Sequence, residues 1–191
     1  MTLDLVRGHL RSHFAEANPD SASVTFLGAE PIEVLRFRSE GVAHFVSVGC
    51  SRHPMTDPAE IVTDQLRGPR AEIVLSLRNP GRTVGLARSL AIVAATPVVE
   101  GTVLVADALI DLRSPLWEAA AFTAVLLGRS DIPDLPLQPP RDPVQFLSAT
   151  PITATEAAWV RLKGAEAMRL AWLSDDVDVL DPYRRAAQPG R

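Results

Sequence analysis

Lysine is almost missing from this chain of 191 residues: Lys163 is the only one, and every other basic side chain is an arginine. That bias reads as a G/C-rich coding sequence, and a bacterial source is expected from it. Cysteine is as scarce. Cys50 has no second cysteine to pair with, so an intrachain disulfide is excluded and nothing ties the chain to an oxidising compartment. Charge of one sign is not in excess either. A net charge of −4 gives no electrostatic reason to expect nucleic acid or an anionic membrane. The longest apolar run, Leu90 to Ala95, is far short of the roughly 18 residues a membrane span needs. Residues 1–10 lack a basic stretch followed by an apolar one, so no signal peptide is read there and a cytoplasmic location is expected.

What is present is the composition of a globular protein, 47% apolar and 22% charged, at a length that suits one domain over residues 1–191. Leu3, Val6, Leu10 and Phe14 recur at helical spacing, and Pro19 stops that helix. From Ser23 to Gly49 the pattern turns to short β-branched and aromatic runs: Val24–Leu27, Ile32–Phe37 and His44–Val48, with Ile73–Leu77 following. A helix is expected from Val84 to Ala95, stopped by Pro97. Val103–Val105, Leu109–Ile110 and Phe122–Leu127 read most simply as three more strands, with a helix over Leu116–Leu127 as the alternative. The segment from Arg129 to Pro143, with five prolines, reads as an irregular loop, and Val144–Leu147 resumes the sheet. Thr153 and Glu156 have capping-box spacing at the start of a last helix running to about Leu173. Val177, Val179 and Leu180 alternate as a strand would. Strands in runs, with helices between the runs, imply an α+β fold: a mixed, largely antiparallel sheet with helices packed against it.

Chemistry is hard to find. His9 and His13 sit at i, i+4, but no glutamate lies between them and no third ligand is in view, so they read as surface residues beside the apolar stripe. Cys50 and His53 have the gap of a metal clip without a second pair, and no metal or cofactor is expected. Asp175, Asp176, Asp178 and Asp181 resemble a calcium loop in charge alone, without its glycine and closing glutamate. There is no nucleophile elbow and no phosphate loop. A hydrolase could still be built from Cys50 or Ser51 with a distant histidine, since triads assemble from separated residues. Pro136 to Arg141 matches a polyproline ligand, although a stiff loop crossing the fold explains it as well.

Residues 44–51, His-Phe-Val-Ser-Val-Gly-Cys-Ser, resemble the aromatic strand ending in Gly-x-Ser of the suppressor-of-fused family. Further likenesses follow in order. Ala71-Glu72-Ile73-Val74-Leu75 is similar to the family's Glu-Leu strand, and Leu86-Ala87-Arg88 to its Leu-Ala-Arg helix. The proline loop leading into Val144-Gln145-Phe146-Leu147, Pro151-Ile152-Thr153 with Glu156 and Gly164, and Asp181-Pro182-Tyr183-Arg184-Arg185 complete the set. Together they cover about residues 24–185. The sequence departs where animal members have Gly-Asp-His, reading Ala106-Asp107-Ala108, and the second domain with which animal proteins clamp a transcription-factor peptide is not expected here.

The resemblance implies a suppressor-of-fused-like domain and a non-enzymatic protein-binding role, with an extended peptide held beside the sheet. Similar single-domain bacterial proteins are associated with toxin systems as immunity proteins, which makes a toxin one candidate partner. The binding surface it implies is the Gly-x-Ser strand end with Phe45, Ser51, Arg52 and His53, and Asp107 nearby. A hydrolase and a purely structural homodimer subunit are the competing readings.

Overall fold

A computed structural model describes residues 1–57, 59, 64 and 66–188. Its elements run α1 (Thr2–Phe14), β1 (Asp20–Val24), β2 (Ile32–Ser39), β3 (Val42–Val48), a 3-10 turn (Cys50–Arg52), β4 (Arg70–Arg78), α2 (Leu86–Glu100), β5 (Leu109–Asp111), β6 (Phe122–Arg129), β7 (Val144–Thr153), α3 (Ala154–Lys163) and α4 (Ala165–Ser174). Among the described residues, no helix is long and apolar enough to cross a membrane. The seven strands form one sheet in the order β1-β2-β3-β4-β7-β6-β5. Every pairing is antiparallel except β4 with β7, which run side by side from Arg70↔Val144 to Val74↔Ser148. The expected α+β architecture, mixed and largely antiparallel, is the one found.

Strand alternation decides which helix covers which face. On β7 the odd residues Leu147 and Ala149 join the cluster under α2, with Ile73, Leu75, Val125, Leu90 and Val93. The even residues point the other way. Val144 and Phe146 pack with Val6 and Leu10 of α1. Ile152 packs with Ala157, Met168 and Trp172 of α3 and α4. One face of the sheet is therefore covered by α2 and the opposite face by α1 at one end and α3–α4 at the other.

Five expectations need correction. Pro97 does not stop α2, which continues to Glu100. A proline there lacks the N–H that would bond the Val93 carbonyl. The Thr96 hydroxyl donates to that carbonyl instead, so the helix runs through. The last helix is two, broken at Gly164, whose φ of 90° marks the bend between α3 and α4. Val103–Val105 is not a strand: Leu104 turns inward and its N–H meets the Met55 sulfur. Val177–Leu180 is a turn, and β1 begins four residues earlier than its apolar run, leaving Leu27 exposed.

Candidate functional site

The Gly-x-Ser strand end folds around a buried carboxylate. The β3–β4 ladder stops at Val46↔Val74. Beyond it the Ser47 hydroxyl accepts from the Ile73 N–H and donates to Glu72 Oε2 at 2.5 Å. Glu72 Oε1 accepts from the Gly49 N–H at 2.9 Å, the Ser51 N–H at 3.0 Å and the Ser51 hydroxyl at 2.6 Å. Gly49 has no room for a side chain: a Cβ there would lie 2.9 Å from Ile32 Cδ1, and its φ is 146°. Arg70 locks the turn from outside, donating to the carbonyls of Ser51 and Arg52. Among the described residues no cation pairs with Glu72. Burial pushes its carboxyl above the usual range, and the hydrogen bonds from Gly49, Ser47 and Ser51 pull it back only part way. The arrangement is a brace. It consumes the donors of Ser51, whose side chain is fully buried, and leaves Cys50 beside it as a buried thiol pushed well up, first by burial and then by the Glu72 charge.

The residues expected to share one binding surface are scattered. Phe45 lies in the core under α2, with the Arg36 guanidinium over its ring. Ser51 is sealed inside the brace. Arg52 and His53 both reach Glu30, at 2.9 Å and 3.2 Å, and line a small cleft with Ala95 and Val98 of α2. Asp107 stands near the other edge of the sheet, paired with Arg169 of α4, beside the β6 backbone. No histidine reaches Cys50 or Ser51 among the described residues. His9 bonds the Pro133 carbonyl, His44 bonds Ser76 and His53 bonds Glu30. No cluster of three or more metal-ligating side chains occurs among the described residues.

A second buried carboxylate braces the far end. Glu156 completes the capping box with Thr153, and its oxygens take both terminal nitrogens of Arg184, at 2.7 Å and 3.1 Å. Trp172 Nε1 and the Ala187 N–H also donate to it. Arg184 lies against the rings of Phe122 and Trp172 and donates to the Pro151 carbonyl. Asp181 starts the turn that aims it, accepting from the Tyr183 N–H. Burial pushes the Glu156 carboxyl up, but Arg184 and the hydrogen bonds from Thr153, Trp172 and Ala187 together hold it below the usual range.

Between the two helical covers the sheet face is bare. The even positions of β7 change from Phe146 under α1 to Ser148 and Thr150, then to Ile152 under α3. Ser76 on β4, His44 on β3 and Gly128 on β6 extend this polar belt. Above the belt is a groove of about 600 Å³, walled by Phe14, Ile132 and Leu180. It shares Arg129, Ser148 and Thr150 with a neighbouring cavity of about 310 Å³ that holds Asp107, Arg169 and Trp172. Volumes of about 300–1,000 Å³ are usual for ligand sites. Sequence reading missed this groove. Its one signal was Ser148 and Thr150, two hydroxyl residues at positions where the strand's inward alternation calls for apolar ones.

A family model described as "Suppressor of fused protein (SUFU)" matches residues 28–185. No curated protein matches the chain by sequence. Solved structures do. A suppressor-of-fused homolog from Neisseria gonorrhoeae FA 1090 superposes with a TM-score of 0.68 at 17% identity, over 97% of this chain and 96% of its own. The Sufu in a Sufu–Fu complex gives 0.68 at 14% identity, over 99% and 91%. Drosophila Suppressor of Fused gives 0.67 at 15% identity, over 97% of this chain and 51% of that one.

Proposed function

Because the chain belongs to the suppressor of fused protein (SUFU) family, we propose that it works without chemistry of its own, by holding a protein partner in the open groove between its helical covers. The observation that carries this reading is the polar belt itself. A sheet face buried by helices should be apolar at inward positions, yet Ser76, Ser148 and Thr150 form the groove floor, Ser76 bonded to His44 and Ser148 donating to the Arg129 carbonyl, and this polar floor is what an entering chain meets. Hydroxyls, an imidazole and nearby apolar walls suit an extended polypeptide, whose backbone needs hydrogen bonds and whose side chains need pockets. In one solved relative the suppressor-of-fused chain is in complex with Fu. For this chain the partner we propose is a protein toxin, with the domain as its immunity protein in a bacterial cytoplasm.

The Arg52–His53 corner is the weaker surface, because both side chains are already engaged by Glu30. No observation favours the hydrolase, since the Ser51 hydroxyl already donates to Glu72 and the Cys50 thiol is buried. The test is to capture the partner with the chain as bait, purify it, and measure binding to Thr150→Trp, which fills the groove, and to Arg52→Glu. Thr150→Trp should weaken binding at least ten-fold while Arg52→Glu keeps it. The opposite result would move the site to the Arg52 corner.

A further inference from the structure

We infer that the segment held in the groove is an extended peptide carrying an acidic side chain, whose carboxylate seats between Arg129 and Arg169. The inference rests on the groove being the partner site and adds the chemistry of what enters it. In the cavity adjoining the groove the charged residues are Asp107, Arg129 and Arg169: two guanidinium groups against one carboxylate. Arg169 already donates to Asp107 and to the Leu127 carbonyl. Arg129 is exposed and has no ion pair among the described residues, and it lines both the groove and the adjoining cavity. In a chain of net charge −4, this adjoining cavity is a local site of net positive charge beside the groove. A guanidinium takes a carboxylate through two parallel N–H bonds, a geometry that a lysine or an amide in the peptide cannot satisfy.

The floor then receives the peptide backbone. Ser148 lies opposite Val74 on β4 and opposite Gly128 on β6, so three adjacent strands contribute to it. Neighbouring strands are about 4.8 Å apart and an extended chain rises about 3.3 Å per residue, so crossing three strands takes roughly three to four residues. Asp131 lines the main groove and not this cavity, so the excess of positive charge is confined to the Arg129–Arg169 corner where the carboxylate seats.

The probes are three capped hexapeptides of alanine and serine with one central glutamate, glutamine or lysine, titrated into the isotope-labelled full chain and followed by amide chemical shifts. The glutamate peptide should shift Gly128, Ser148 and Thr150 and bind at least ten-fold tighter than the lysine peptide, with glutamine between. Arg129→Glu, a surface change that leaves the core untouched, should reverse that order. Equal response to all three peptides, shifts confined to other surfaces, or no shift at millimolar peptide would each overturn the inference. If a captured partner is lost in Thr150→Trp but the acidic peptide does not bind, the groove stands and the acidic segment falls. If the partner binds Thr150→Trp as well as wild type, the groove itself is the wrong surface.

Discussion

The two buried carboxylates solve the same problem in opposite ways. Glu72 and Glu156 are both fully buried, and both organise a turn through several donors. Glu156 has a cation, Arg184, and its carboxyl is held low. Glu72 has hydroxyls and backbone N–H groups alone, and its carboxyl is pushed up. An ion pair commits both members: removing one leaves a buried charge with nothing opposite. A carboxylate held by neutral donors can take up a proton and stay in place. The far brace is thus expected to fail abruptly and the near one gradually.

The largest effect should come from Glu156→Gln. It strands the buried Arg184 guanidinium, and losing one partner of a buried pair costs about 3–5 kcal/mol. Denaturant unfolding measures it, and a loss below 1 kcal/mol would mean the pair carries little. The double variant Glu156→Gln with Arg184→Met should recover part of that loss, because the uncompensated charge is gone.

Gly49→Ala should come next, at about 1–3 kcal/mol, since the side chain meets Ile32 and the backbone holds a strained positive φ. A variant as stable as wild type would show that the turn can shift without losing Glu72.

Glu72→Gln should cost about 1–3 kcal/mol for a hydrogen bond left unmade, and it carries a pH signature. The sign follows from proton uptake: with its folded value raised above the ordinary 4.5, Glu72 binds its proton more tightly in the folded chain. Its contribution is fully present below about pH 4.5 and is lost as pH rises through the raised value. Glu156, held low, contributes above about pH 4.5 and is lost as pH falls through its own value. Glu72→Gln should therefore flatten the stability profile above pH 4.5 and leave the acid limb intact, while Glu156→Gln does the reverse. Matching profiles for the two variants would erase the distinction.

The smallest effects should be at the Gly-x-Ser surface. Arg52→Glu should cost about 1 kcal/mol or less, since it removes a partly exposed ion pair with Glu30. Cys50 should resist a thiol reagent at neutral pH in the native protein and react on unfolding. Rapid stoichiometric labelling of the native chain would contradict its burial.

The sequence carried the sheet well where alternation and apolar runs agreed, as in Ile32–Phe37, Ile73–Leu77 and the capping box at Thr153. It misled at Pro97, because the repair comes from a neighbouring hydroxyl, and at Val177–Leu180, because short alternation does not make a strand without a partner to pair with. The family landmarks were legible as letters and illegible as physics. Glu72 stood alone in an apolar strand, a charge that had to be either exposed or served, and the serving donors came from residues 47–51. Arg184 lies 28 positions beyond Glu156, a pairing that no local spacing reveals. Of the residues expected to mark a binding surface, Ser51 is held inside the turn, Arg52 and His53 stand at its rim with Glu30, and Asp107 lies near the other edge of the sheet.

The lone parallel pairing, β4 with β7, has a consequence for how the molecule is assembled. β1 to β4 form one meander and β5 to β7 another, each made of contacts near in sequence. The weld between them joins Arg70 to Val144, residues 74 positions apart (144 − 70), and such distant pairings form late because a long loop must first be closed. The groove floor takes Ser76 from one meander and Ser148, Thr150 and Gly128 from the other. Neither half alone presents it, so a partner that enters the groove can grip only a chain whose weld is complete, and its binding reports the end of folding.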